Sequence, residues 1–185
     1  FPAKNFLVPE PYGQVLIMSP WNYPLQLTLL PLIGAIAAGN YAVVKPSAYA
    51  PEIAKVMQQI VATAFPNKEA ILFLGGRKVN EEILQGVYDF IFFTGSPGVG
   101  QTVMRKASEN LTPVVLELGG KSPLIIAEDA DIPLTIRRLK FAKLINCGQI
   151  RVACDYVLID KKLSDKVDDI REASSDEGDD KARPT

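Results

Sequence analysis

The chain has 185 residues, 48% of them apolar and 22% charged, with a formal net charge of −1; this is the balance of a globular domain that can bury a core. That charge gives no general attraction to nucleic acid, and no apolar run reads as a signal peptide or is long and continuous enough to span a bilayer. Histidine is absent, which excludes Ser-His-Asp and Cys-His catalysis, and the two cysteines, Cys147 and Cys154, suggest neither a zinc site nor a disulfide framework, so a reducing, cytoplasmic setting is the default.

Phe1 to Pro11 is irregular and starts without methionine, as a fragment or processed product would. Val15 to Met18 reads as a buried strand that runs into Ser19-Pro20-Trp21-Asn22-Tyr23-Pro24, where two prolines enforce extended or turning backbone. Leu25 to Ala38, apolar nearly all round, predicts a helix buried in the interior, stopped by Gly39-Asn40 and either kinked at Pro31 or starting there. Tyr41 to Lys45 is a second strand, Pro46-Ser47 breaks it, and a helix opens at Ala50-Pro51-Glu52 and reaches about Phe65. Ile71 to Leu74 is a third strand closed by Gly75-Gly76. A short helix is expected from Asn80 as its cap, with Glu81 and Glu82 in the favoured first turn.

Asp89 to Phe93 is apolar on both parities, as in a strand buried on both faces of a parallel sheet. It ends in Thr94-Gly95-Ser96-Pro97-Gly98-Val99-Gly100, where Ser96 can cap a helix and Pro97 fills a first-turn position that needs no donor. Val114 to Glu117 is a fifth strand and Pro123 to Ile126 another. Asp131-Ile132-Pro133 starts a helix that runs to about Ile145, with Arg137, Arg138 and Lys140 on an exposed face, and residues 146–156 break it.

Strands alternating with helices at this spacing predict right-handed crossovers and a doubly wound parallel sheet, a Rossmann-like α/β fold, whose ligands collect at the carboxyl ends of the strands. Asn22, Lys45, the 94–100 turn and Glu117 all fall just past predicted strands. In that turn, free backbone N–H groups and the positive end of a helix dipole converge as at an anion site. Its order is G-x-x-G-x-G and not the dinucleotide fingerprint G-x-G-x-x-G, so a nucleotide site and a merely tight turn both stay open. Tyr41-Ala42-Val43-Val44-Lys45 mimics a proton-transfer Y-x-x-x-K pair, but that pair works from a helix, where i and i+4 share a face. On a predicted strand, Tyr41 is expected in the core. Glu117, beside a Gly-Gly turn, is placed either to work on water or substrate or to be a solvated turn charge.

Five stretches in order, Trp21-Asn22-Tyr23-Pro24, Lys45-Pro46-Ser47, Phe93-Thr94-Gly95-Ser96, Glu117-Leu118-Gly119-Gly120-Lys121 and Asn146-x-Gly148-Gln149, resemble the aldehyde dehydrogenase superfamily, most closely its class 3 branch of fatty and aromatic aldehydes. The match covers roughly Pro9 to Lys162. The resemblance implies NAD(P)-dependent oxidation of a small aldehyde to the acid. A cysteine thiolate attacks the carbonyl, an asparagine amide and a backbone N–H hold the oxyanion, hydride leaves for NAD or NADP, and glutamate-activated water hydrolyses the thioester. By motif match Asn22 is the oxyanion donor and Glu117 the general base. Lys45 would meet the adenosine ribose, and Trp21, Ser47, Thr94, Gly95, Ser96, Val99, Leu118 and Gly119 would line the cofactor site.

Three departures accompany the resemblance. The nucleophile of N-x-G-Q-x-C is replaced by Arg151, which carries a fixed charge and is not nucleophilic at neutral pH; Cys147 lies four residues before that position, and Cys154 stands where relatives commonly carry proline. Ala48 occupies the place where many relatives put a glutamate on the adenosine ribose, so strict NAD selectivity is not expected. The chain is also short, with the family's oligomerisation segment missing. Expected divisions are 1–118 for the NAD(P)-binding domain, 119–163 for the beginning of the catalytic domain, and 164–185 as a disordered or non-native tail, since it holds eight acids against four bases and almost no large apolar residues. The alternative to an aldehyde dehydrogenase lineage with its activity lost is a non-catalytic module that binds a nucleotide or a partner.

Overall fold

A computed structural model describes residues 3–175. In chain order these form β1 (Gln14–Met18), α1 (Pro24–Ala37), β2 (Tyr41–Lys45), α2 (Pro51–Ala64), β3 (Ala70–Leu72), α3 (Arg77–Ile83), β4 (Phe90–Gly95), α4 (Pro97–Ser108), β5 (Val114–Leu118), β6 (Ser122–Ile126), α5 (Ile132–Leu144), β7 (Cys154–Ile159) and α6 (Val167–Ser175). The chain divides into two compact units at the junction between Gly119 and Gly120.

In the first unit all five strands are parallel, in the order β3-β2-β1-β4-β5. Parallel neighbours cannot be joined by tight hairpins, and the intervening helices supply the crossovers. The chain moves outward from β1 to β3, then returns to β4 on the other side of β1. Alternation along each strand feeds two cores. Val15, Ile17 and Val44 face Leu32 of α1 and Met57 and Val61 of α2. Leu16, Met18, Ile91 and Phe93 face Val103 and Ala107 of α4. Burial on both faces is why β1 and β4 read as unbroken apolar runs. Each fully buried large side chain contributes roughly 1.5–3 kcal/mol.

The second unit pairs β6 and β7 in parallel, with α5 between them in sequence. Asp131 caps α5 by accepting a hydrogen bond from the Leu134 N–H at 2.9 Å. Ile126, Leu139 and Ile170 form the centre of this unit's core.

Several expectations need correction. Helix α3 begins at Arg77, and Asn80 lies inside it with its N–H donating to the Gly76 carbonyl at 3.1 Å; the Gly75-Gly76 turn, not a polar cap, sets the start. Only Thr28 and Leu32 of α1 are fully buried, while Leu25, Leu30 and Ile33 are exposed, because one face alone packs on the sheet. Pro31 lies within α1, whose first turn is occupied by Pro24. Tyr41 is on a strand as expected but is 60% exposed, since it is the first residue of β2 at the amino end of the sheet. Strand β7 starts at Cys154, inside the stretch read as a break, and runs past it to Ile159. The segment after Leu163 continues as a 3₁₀ turn and α6, with Ile170 only 5% exposed; one well-placed apolar residue on an acidic helix is enough to dock it. Residues 176–185 of the expected tail lie outside the described residues. No helix among the described residues is long and apolar enough to cross a membrane.

Candidate functional site

A crevice of about 830 Å³ opens at the carboxyl ends of β1, β2 and β4, within the first unit. The strand order explains its place: the crossovers from β1 and from β4 diverge to opposite faces of the sheet and leave a gap between them. Trp21 comes from the exit of β1, Lys45, Ser47 and Ala48 from the exit of β2, Thr94 and Gly95 from the end of β4, Ser96 from the junction that follows, and Val99 from the first turn of α4. These were all anticipated from sequence. Arg77, Asn80 and Glu81 of α3 line the same space and were not. The Gly75-Gly76 stop after β3 was the signal for them, because the carboxyl-end rule applies to β3 as it does to its neighbours.

Glu117, Asn22, Leu118 and Gly119 are outside the crevice lining. Asn22 is half-buried in the turn between β1 and α1, and Glu117 is exposed on β5, paired in register with Thr94 of β4. Parallel strands lie about 4.8 Å apart, so Glu117 is the lateral neighbour of a crevice residue. Leu118 pairs with Gly95 and turns its side chain to the α4 core.

The exits of the strands are tied together. The Ser19 N–H donates to the Lys45 carbonyl at 3.2 Å, and the Ser19 and Thr28 hydroxyls share a buried hydrogen bond at 2.6 Å. The turn carrying Trp21 and Asn22 is thereby pinned to both β2 and α1. Helix α4 packs close to β5 because Gly100 lacks a side chain, whose Cβ would lie 2.7 Å from Leu118; within β4, a Cβ at Gly95 would lie 2.6 Å from the Phe93 ring. The Ser96 hydroxyl accepts from the Val99 N–H at 3.5 Å, a long bond that leaves the first turn of α4 short of strong partners.

The lining has the chemistry of a nucleotide site. Lys45 and Arg77 are its cations and Glu81 is the one carboxylate among the described lining residues. Lys45 is 2% exposed, its Nζ donates to the Pro46 carbonyl, and burial holds its pKa below the ordinary value. Asn80 Oδ1 is buried with no hydrogen-bond partner among the described residues. A Cβ at Gly76 or Gly98 would meet nothing within 4 Å, so backbone is open to close approach on two sides. These features fit a dinucleotide.

Arg151 belongs to the second unit. It is exposed, and its carbonyl accepts from the Ser122 hydroxyl at 3.1 Å. In the preceding turn Asn146 and Cys147 both adopt left-handed backbone, at φ of 51° and 54°. Cys147 is exposed, and half-buried Cys154 opens β7, with its carbonyl accepting from Lys143 Nζ at 2.8 Å.

The model of the aldehyde dehydrogenase family matches residues 2–175. The chain belongs to that family. It is 46% identical over 165 residues to 4,4'-diaponeurosporen-aldehyde dehydrogenase of Staphylococcus aureus, covering 89% of this chain and 36% of that protein. It is 43% identical over 164 residues to aldehyde dehydrogenase family 3 member A2 of Rattus norvegicus, covering 89% and 34%. Among solved structures, substrate-bound Staphylococcus aureus AldH superimposes with a TM-score of 0.83 at 45% identity over 90% of this chain and 36% of that one. Mycobacterium tuberculosis aldehyde dehydrogenase complexed with NAD+ does so with a TM-score of 0.80 at 34% identity over 90% and 34%. The chain thus spans about a third of the length of these aldehyde dehydrogenases. The family match runs past Leu163 to residue 175, through α6.

Proposed function

We propose that this chain carries the cofactor-binding part of an aldehyde dehydrogenase, holds NAD or NADP in the crevice, and does not itself oxidise aldehydes. The observation that carries this reading is the crevice, where Trp21, Lys45, Ser47, Thr94, Ser96 and Val99 meet from separate strand ends around open glycine backbone. Likeness to an NAD+-complexed aldehyde dehydrogenase at a TM-score of 0.80 supports the choice of ligand. When bound, the nicotinamide supplies the hydride acceptor.

The chain's own residues then divide the work. Lys45 at the end of β2 meets the adenosine ribose, and the backbone around Gly95 and Ser96 lets the dinucleotide approach α4. In an aldehyde dehydrogenase that has its thiolate, the Asn22 amide would donate to the developing oxyanion and Glu117 would take the proton of attacking water. Arg151 stands where the thiolate is needed. Its guanidinium is not nucleophilic at neutral pH. The free cysteines support a cytoplasmic setting, where thiols stay reduced.

Arg151 also favours a second reading, a module that binds a nucleotide or a partner and performs no chemistry. Affinity without turnover is its signature. Calorimetric titration of the folded chain with NAD and with NADP tests the shared claim. Binding of both is expected, with comparable affinities because Ala48 places no carboxylate at the end of β2. No heat with either nucleotide at millimolar concentration would overturn the cofactor assignment, and a large preference for NAD would overturn the part resting on Ala48.

A further inference from the structure

We infer that the second unit holds a site for a small carboxylate with an apolar body, seated between β7, α5 and α6, with Lys143 and Arg171 receiving its charge. The cavity there has a volume of about 310 Å³, at the lower end of the range of about 300–1,000 Å³ in which small-molecule sites fall. Its lining is divided by chemistry. Leu139 and Ile170 are buried and belong to the core of this unit, and with Val157, Ile159 and Val167 they give the cavity an apolar wall. The charged residues among the described lining are Lys143, Arg171 and Asp155.

The sign of the charge selects the ligand. Lys143 comes from the last turn of α5 and Arg171 follows Ile170 on α6. Both residues line the cavity yet are exposed overall, as long side chains are when the stem lies on apolar surface and the charged head stays in water. Lys143 Nζ donates to the Cys154 carbonyl at 2.8 Å; an ammonium has three donors, so this bond holds the head beside the cavity and leaves donors for a ligand. Asp155 opposes an anion, but its Oδ2 is paired with Lys121 Nζ at 2.9 Å, so the charges around the cavity sum to positive once Lys121 is counted. An amine would be repelled by the two cations, and a neutral chain would leave them unused. A carboxylate accepts charge-assisted hydrogen bonds from both, while an apolar body takes the leucine, isoleucine and valine surface out of water. Half-buried Cys154 also lines the cavity, whereas exposed Cys147 lies outside the lining, so the two thiols supply a reporter and its control.

Calorimetric titrations of the 185-residue chain with octanoate, 1-octanol, octylamine and acetate, each below the concentration at which it self-associates, separate the charged and apolar halves of the site. Octanoate is expected to bind about tenfold more tightly than octanol, the scale of one hydrogen bond to a charged group, with octylamine and acetate weaker than either. Arg171→Gln and Lys143→Gln should each bring octanoate toward octanol and leave octanol itself unchanged. Bound octanoate should also slow alkylation of Cys154 by N-ethylmaleimide, read by peptide mass spectrometry, without slowing that of Cys147. The comparison among ligands uses the unaltered chain, so it decides the matter even where a variant does not fold. Equal binding of octanoate and octanol, or of octanoate and acetate, would overturn the assignment, as would the absence of heat with octanoate or equal slowing of the two cysteines.

Discussion

Lys45 is a buried cation at the lip of the crevice, and its position has a consequence for stability. Burial lowers its pKa from 10.5, so the folded chain releases this proton at a lower pH than the unfolded chain. Between the lowered folded value and 10.5 the unfolded state binds more protons, and stability rises with pH across that window. Tyr88, whose hydroxyl donates to the Ile83 carbonyl at 2.9 Å, has its pKa raised above 10.0 by burial and acts in the opposite sense only at higher pH. Urea midpoints followed up to about pH 10 should therefore climb more steeply for this chain than for Lys45→Met. Parallel slopes would show that the lysine's charge is not penalised. Residue chemistry of this kind is partly legible in sequence. Lys45 could be placed at a strand end from its sequence context. The missing partner of Asn80 Oδ1 could not, since it depends on which groups the fold brings within reach.

At the scale of the element, the turn after α4 holds a leucine in an unfavourable place. Leu111 has a φ of 54° and is 91% exposed, so it bears left-handed backbone strain without packing to offset it. Left-handed geometry costs an ordinary residue about 1–2 kcal/mol, and glycine's greater freedom when unfolded takes back about 0.5–1. Leu111→Gly should stabilise the protein by about 0.5–1 kcal/mol, read as a higher urea midpoint with unchanged denaturant dependence; a lower midpoint would show that the leucine makes contacts of value. The same balance of local and tertiary forces decided which elements could be read in advance. Strands β1, β2 and β4 announced themselves because burial on both faces demands continuous apolar runs, and the caps of α4 and α5 because Ser96 and Asp131 precede proline-containing first turns. Helix α3 was misplaced because its start depends on a glycine turn. Helix α6 was missed because its net acidity masks the single side chain, Ile170, that anchors it.

For the whole molecule, the strand order β3-β2-β1-β4-β5 brings Trp21, Lys45 and the residues 94–99 to one crevice, as alternation of strands and helices made foreseeable, while Asn22 and Glu117 stay outside its lining. The family assignment then gives the motifs their proposed roles: a retained cofactor site in the first unit and a lost nucleophile in the second. The most direct measurement is formation of reduced nucleotide from NAD(P) and an aldehyde by two versions of the chain joined to a family-like carboxyl-terminal portion, one with Arg151 and one carrying Arg151→Cys. The Arg151→Cys protein should oxidise the aldehyde. The Arg151 protein should bind nucleotide yet fall short by a factor on the order of a millionfold, the scale of losing a covalent nucleophile. Turnover by the Arg151 protein, or silence from a folded, nucleotide-binding Arg151→Cys protein, would contradict the assignment of this position as the lost nucleophile.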